Sequence, residues 1–96
     1  MMTKAGIVED HPLFGQAIKE LIESIPNVSV GGLWESAEEC IQALRQEKIQ
    51  LLLLDLQLKG SNGLELLKLI HQNYPEIRVL VISMHPEETW GERVLR

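Results

Sequence analysis

Glu9 and Asp10 stand together just after a short apolar run, Ala5-Gly6-Ile7-Val8, and Asp55 stands just after another, Leu51-Leu52-Leu53-Leu54. Ser83 follows a third apolar stretch, 78–82. Taken singly, each acid has an ordinary explanation, because a carboxylate after a strand often caps the next helix. Taken together they ask for more. If the first and third strands are neighbours, three carboxylates and a hydroxyl gather at one edge of a sheet. Like charges in a desolvated crevice need a cation or a proton among them. Hard oxygen donors suit Mg²⁺, which takes one or two carboxylates and fills its shell with waters and phosphate oxygens. Such a set could carry phosphoryl chemistry, with an aspartate as nucleophile.

The elements that would position these residues are legible as alternating patterns. Ala5–Val8 reads as a buried strand. Pro12 suits the first turn of a helix, and Leu13, Phe14, Ala17, Ile18, Leu21, Ile22 and Ile25 then recur at helical spacing. Pro26-Asn27 breaks that helix, and Val28 to Leu33 reads as a second strand. Ser36 with Glu39 forms a capping-box pattern ahead of an apolar face of Ala37, Cys40, Ile41 and Leu44. The unbroken Leu51–Leu54 run is what a strand covered on both faces looks like. Residues 59–63 form a loop, after which Asn62 and Glu65 can cap a helix with a buried stripe of Leu66, Leu67, Ile70 and Tyr74. Pro75 ends it. Arg78 to Ile82 is a fourth strand, and Pro86-Glu87-Glu88 opens a last helix whose first-turn acids suit its dipole. Alternation of this kind predicts an α/β fold, a doubly wound parallel sheet with helices on both faces. In such sheets ligands sit beyond the carboxyl ends of the strands, where the strand order reverses.

The whole chain narrows the function classes. Ninety-six residues make one domain at most. No apolar run reaches membrane-spanning length, and the start is too short for a signal-peptide core, so a cytoplasmic location is expected. A single cysteine excludes an internal disulfide and a multi-cysteine zinc site. Fourteen acids against nine Lys and Arg, with no basic cluster, argue against direct nucleic acid contact by this fragment.

Four segments, Glu9-Asp10-His11-Pro12, Leu53-Leu54-Asp55-Leu56, Asn62-Gly63-Leu64-Glu65-Leu66 and Val81-Ile82-Ser83-Met84-His85, resemble in order and spacing the receiver domain of bacterial two-component response regulators. The likeness is greatest to the subfamily with a C-terminal helix-turn-helix output, and it covers essentially the whole chain. The resemblance implies a flavodoxin-like fold and a regulatory module instead of an enzyme. Asp55 then matches the aspartate that takes a phosphoryl group from a sensor histidine kinase. Glu9, Asp10, Asp55 and the backbone carbonyl of Gln57 match the Mg²⁺ ligands, and Ser83 matches the hydroxyl that turns toward the phosphoryl group. The expected outcome is a conformational switch controlling transcription.

The chain also departs from the family. Receivers continue through a fifth strand and helix, and the lysine and aromatic residue they carry have no counterpart before Arg96; Lys59 stands where the family often has proline and is not assigned the lysine's role. Residues 1–96 are therefore expected to be an incomplete receiver, phosphorylated weakly or poorly read out. Strand four would be left as an exposed edge, and such edges recruit partners, so self-association through that edge or the last helix is expected. The alternative is a receiver remnant acting only as an interaction or dimerisation module. A haloacid dehalogenase-type phosphatase would want an acid two residues after Asp55, where Gln57 stands. A flavin- or nucleotide-binding module would want a phosphate-cradling loop after strand one, where Glu9 and Asp10 would repel phosphate. His11 could approach a metal, although its ordinary role in this stretch is to start the helix. Cys40 reads as inert core, His71 as solvated, His85 as surface, and Trp90 as part of a signalling face or core cover. Trp34 carries no functional reading.

Overall fold

The structure, a computed structural model, describes residues 2–58 and 63–82. The elements run β1 (Thr3–Val8), α1 (Pro12–Glu23), β2 (Val28–Trp34), α2 (Ala37–Gln46), β3 (Leu51–Asp55), α3 (Gly63–Asn73) and β4 (Arg78–Ile82). All strand pairings are parallel, in the order β2-β1-β3-β4. The β-α alternation of the sequence is thus realised as a flavodoxin-like sheet, with β1 and β3 side by side at its centre. The last expected helix, Ser83, Lys59, Asn62, His85 and Trp90 lie outside the described residues.

Strand alternation sorts the core onto two faces. Ala5, Ile7 and Leu53 point to one side and pack with Ile18 of α1, while Val8, Leu52 and Leu54 point to the other and pack with Cys40 and Leu44 of α2 and Leu66 and Ile70 of α3. Both faces of β1 and β3 are therefore covered, which explains why the leucine run does not alternate. Among the described residues no helix is long and apolar enough to cross a membrane.

Local signals account for most element ends. Ser36 caps α2 by accepting the Glu39 N–H at 3.2 Å, and the Glu39 carboxylate reaches back to the Glu35 N–H at 3.4 Å. Asn27, at φ 66°, makes the left-handed turn that Pro26-Asn27 promised, and its carbonyl accepts the Thr3 N–H at 2.8 Å. Tyr74 falls one residue past the end of α3 but still packs against the core.

Helix α1 differs from its sequence pattern. Its core face is the single row Phe14, Ile18 and Ile22, whereas Leu13 is 89% exposed and Leu21 68% exposed. Ala17 is exposed too, and Ile25 lies beyond the helix and is 45% exposed. The seven apolar positions span two adjacent rows of the helix, and a helix lying on a sheet buries only the row that meets it.

Candidate functional site

Asp55 is the last residue of β3, and Glu9 and Asp10 follow β1 directly. Because Val8 pairs with Leu54, the carboxylates emerge side by side at the carboxyl edge of the two central strands. Sequence order reverses there, since β1 has β2 on one side and β3 on the other. The backbone fixes the positions tightly: the Glu9 N–H donates to the Trp34 carbonyl at 2.9 Å, which ties the residue to the end of β2.

Glu9 and Asp55 are each only 1% exposed. Asp55 Oδ1 accepts the Gln57 N–H at 3.0 Å, and Glu9 Oε2 accepts the His11 N–H at 2.9 Å. The other oxygen of each, Glu9 Oε1 and Asp55 Oδ2, is buried with no hydrogen-bond partner. Buried polar atoms are nearly always satisfied, so two such carboxylate oxygens in one crevice ask for a cation between them or for a proton shared by Glu9 and Asp55. The electrostatics agree. Burial pushes the Glu9 carboxyl above its ordinary value, the contacts with His11 work in the opposite direction, and the neighbouring Asp55 carboxyl pushes it further up.

Donor atoms of Glu9, Asp10, His11 and Asp55 all lie within 4.8 Å of one another. Three of the four proposed protein ligands thus come together, and Gln57 is brought beside them through its backbone contact with Asp55. Sequence reasoning noted that His11 could approach a metal but did not foresee its side-chain contact with Glu9. His11 is the residue that caps α1, yet its side chain makes no cap bond; Nδ1 instead lies 2.7 Å from Glu9 Oε2 and 3.2 Å from Asp10 Oδ1. The adjacency of His11 to the acid pair was the available signal, but the turn that bends the ring back was not visible in residue types.

Other features fall elsewhere. A depression of about 280 Å³ lined by Leu44, Ile49, Tyr74 and Ile77 lies at the far end of the sheet, where β3 and β4 begin. Cys40 is fully buried, and burial pushes its thiol up to about 12. The indole of Trp34 lies where a side chain on Gly6 or Gly32 would be, so those two glycines are there to make room for it.

Comparison with known proteins decides the family. The response regulator receiver domain family matches residues 6–96. The chain belongs to that family. It is 29% identical over 90 residues to the transcriptional regulatory protein DegU of Brevibacillus brevis, covering 94% of this chain and 38% of that protein. It is 33% identical over 95 residues to the transcriptional regulatory protein MalR of Bacillus subtilis, covering 99% of this chain and 40% of that protein. The non-phosphorylated receiver domain of the stress response regulator RcsB from Escherichia coli superimposes with a TM-score of 0.81 at 26% identity, covering 93% of this chain and 70% of that one. This receiver therefore spans about two fifths of the length of DegU and MalR. By their names these relatives are regulators of transcription or of the stress response.

Proposed function

We propose that this receiver accepts a phosphoryl group on Asp55 from the phosphohistidine of a sensor kinase, in the presence of Mg²⁺, and passes the change to a transcriptional output. The observation that carries this is the pair of buried, partnerless oxygens, Glu9 Oε1 and Asp55 Oδ2, facing a shared crevice at the switch point of the sheet. The Gln57 N–H holds Asp55 Oδ1 and so leaves Oδ2 as the nucleophile. A lone pair of Oδ2 attacks phosphorus, the P–N bond of the donor breaks, and the imidazole departs with its electron pair. Mg²⁺, held by Glu9, Asp10, Asp55 and the Gln57 carbonyl, would supply the positive charge that offsets carboxylate and phosphoryl oxygens as they approach. Ser83, four residues beyond the Val79 partner of Leu52, is proposed to donate its hydroxyl to the new phosphoryl oxygens. Residues 1–96 act on this reading as one receiver unit.

The test is labelling of the purified chain with a small phosphodonor, followed by intact-mass measurement. Addition of one phosphoryl group that needs Mg²⁺ and disappears in Asp55→Asn is expected. No label in the parent chain, or a label that persists in Asp55→Asn, overturns the proposal.

Self-association belongs to the same proposal. Among the described residues β4 is hydrogen-bonded only on its β3 side, and Leu80 on it is 36% exposed. A related structure contains two RcsB dimers bound to two parallel DNAs. Light scattering at high protein concentration should give a mass above that of the monomer; a monomeric mass throughout would remove this part.

A further inference from the structure

We infer that Gly31 guards the free edge of β2: as an extra residue it breaks the outward row of peptide groups, and so keeps a second copy of this chain from adding a strand there. The inference is independent of the phosphoryl chemistry.

Three observations show the extra residue. Val30 pairs with Ala5 and Gly32 pairs with Gly6, which leaves Gly31 without a partner on β1. The Thr3 N–H donates to the Asn27 carbonyl and the Glu9 N–H to the Trp34 carbonyl, so residues 27 and 34 both turn toward β1. On a regular strand, residues that turn the same way are an even number apart, and these two are an odd number apart. Finally, a Cβ on Gly31 would lie 3.0 Å from Ile49 Cδ1, and one on Gly32 would lie 2.5 Å from the Trp34 indole. Ile49 and Trp34 belong to the same core cluster, so Gly31 and Gly32 face one side in succession. That is the mark of a β-bulge, a rare device between parallel strands.

The position of the bulge gives its use. Among the described residues β2 is hydrogen-bonded only to β1, so its other side is a free edge. At seven residues, Val28–Trp34, it is the longest described strand, and it carries neither a charge nor a proline. A free edge of this kind is a template for another chain, and proteins blunt it with charge, proline, short length or a bulge. Here only the bulge is present. Val28 and Val30 turn their peptide groups outward before it and Leu33 does so after it. The spacing of outward groups therefore changes between Val30 and Leu33, and a straight incoming strand finds partners along only part of the edge.

Pairing with β1 does not need Gly31. Joining Val30 to Gly32 would leave every β1 partner unchanged. It would also keep Val30 and Leu33 on the α1 side of the sheet and Trp34 on the α2 side, as they are now. The residue serves the outer side of the strand.

The test is deletion of Gly31 from the whole chain, with circular dichroism and a melting curve to follow folding. Light scattering over a concentration series reads association, and hydrogen exchange reads which strand is covered. The deletion chain should keep the parent's spectrum and reach half-association at a concentration at least about tenfold lower. Residues 28–34 should gain protection as its concentration rises, and should not do so in the parent, whatever happens at β4. Val30→Pro in the deletion chain removes an outward N–H and no bond to β1, and should return association to the parent's level. Association unchanged by the deletion, or gained without protection of 28–34, or untouched by Val30→Pro, overturns the inference. So does a parent whose 28–34 segment is already protected by concentration. A deletion chain that does not fold overturns it too, because Gly31 would then be needed for pairing with β1.

Discussion

Glu9 carries an electrostatic cost at the scale of a single residue. Its carboxyl is buried, and its proton is held above the ordinary value of 4.5, chiefly because burial penalises the charge. A folded-state pKa raised above the unfolded one contributes stability that is fully present below the unfolded pKa and is lost as pH rises through the folded one. In chelator the chain should therefore lose Glu9's contribution as pH climbs from about 4.5 toward neutrality. Glu9→Gln, which keeps the shape and removes the charge, should raise the melting temperature at pH 7 in chelator by a few degrees, since about 1 kcal/mol moves a domain of this size by roughly 4–8 °C. The same variant should lose most of the stabilisation by Mg²⁺. A melting curve unchanged by the substitution, with and without Mg²⁺, would show that Glu9 is not the strained group. Cys40 gives a second expectation at this scale: with its thiol pushed up to about 12, the native chain should resist a thiol reagent at pH 8 and react only on unfolding. Glu9, Asp10 and Asp55 were legible in the sequence because each ends an apolar run. The ring of His11 was not, because its direction depends on a backbone turn that leaves no mark on residue type. Trp34 was illegible for a related reason: its meaning lies in two glycines, one on its own strand and one on the neighbour.

Helix α3 begins where the site ends, and its placement depends on one glycine. A methyl group on Gly63 would lie 2.6 Å from the backbone Cα of Leu56, the residue after Asp55. Backbone cannot yield as a flexible side chain can, so Gly63→Ala must push the start of α3 away from the segment that leads out of β3. Overpacking of this kind costs about 1–3 kcal/mol, and a urea titration should show the midpoint fall accordingly. A midpoint within error of the parent would mean that α3 is free to shift. At the start of α2, Ser36→Ala removes the hydroxyl that accepts the Glu39 N–H and should cost about 1 kcal/mol by the same measurement. The capping box of α2, the Pro26-Asn27 turn and the unbroken β3 leucines were each readable, because the signal and the structure it dictates are only a few residues apart. The core row of α1 was not. Leu13, Ala17 and Leu21 share the apolar character of Phe14, Ile18 and Ile22, and only the sheet decides which row is covered.

For the molecule as a whole, the carboxylates, the strand order and the two-faced core form one arrangement. Alternation of strands and helices sufficed to specify a parallel sheet, but the adjacency of β1 and β3, on which the site depends, came from the family likeness and not from periodicity. If the crevice holds a cation only in the folded state, the cation must stabilise the fold. At ten times the dissociation constant the gain is about 1.4 kcal/mol, or roughly 6–10 °C for this size, and Asp55→Asn should reduce it. Scanning fluorimetry across a Mg²⁺ series reads this directly; a flat series would count against a preformed site.

The place of Glu9 and Asp55 beside the central strands has a consequence for how the protein breathes. Gly6 through Val8 are paired on both sides, with β2 and with β3, while Leu51–Leu54 are paired with β1 and with β4. Peptide hydrogens in such doubly paired, doubly covered strands are the last to trade with deuterated solvent, because only near-global opening releases them. The acids of the site are joined directly to those strands. Fraying of α1, or detachment of β4, would leave them in register, so the geometry that collects the charges should persist through every partial opening short of loss of the fold itself.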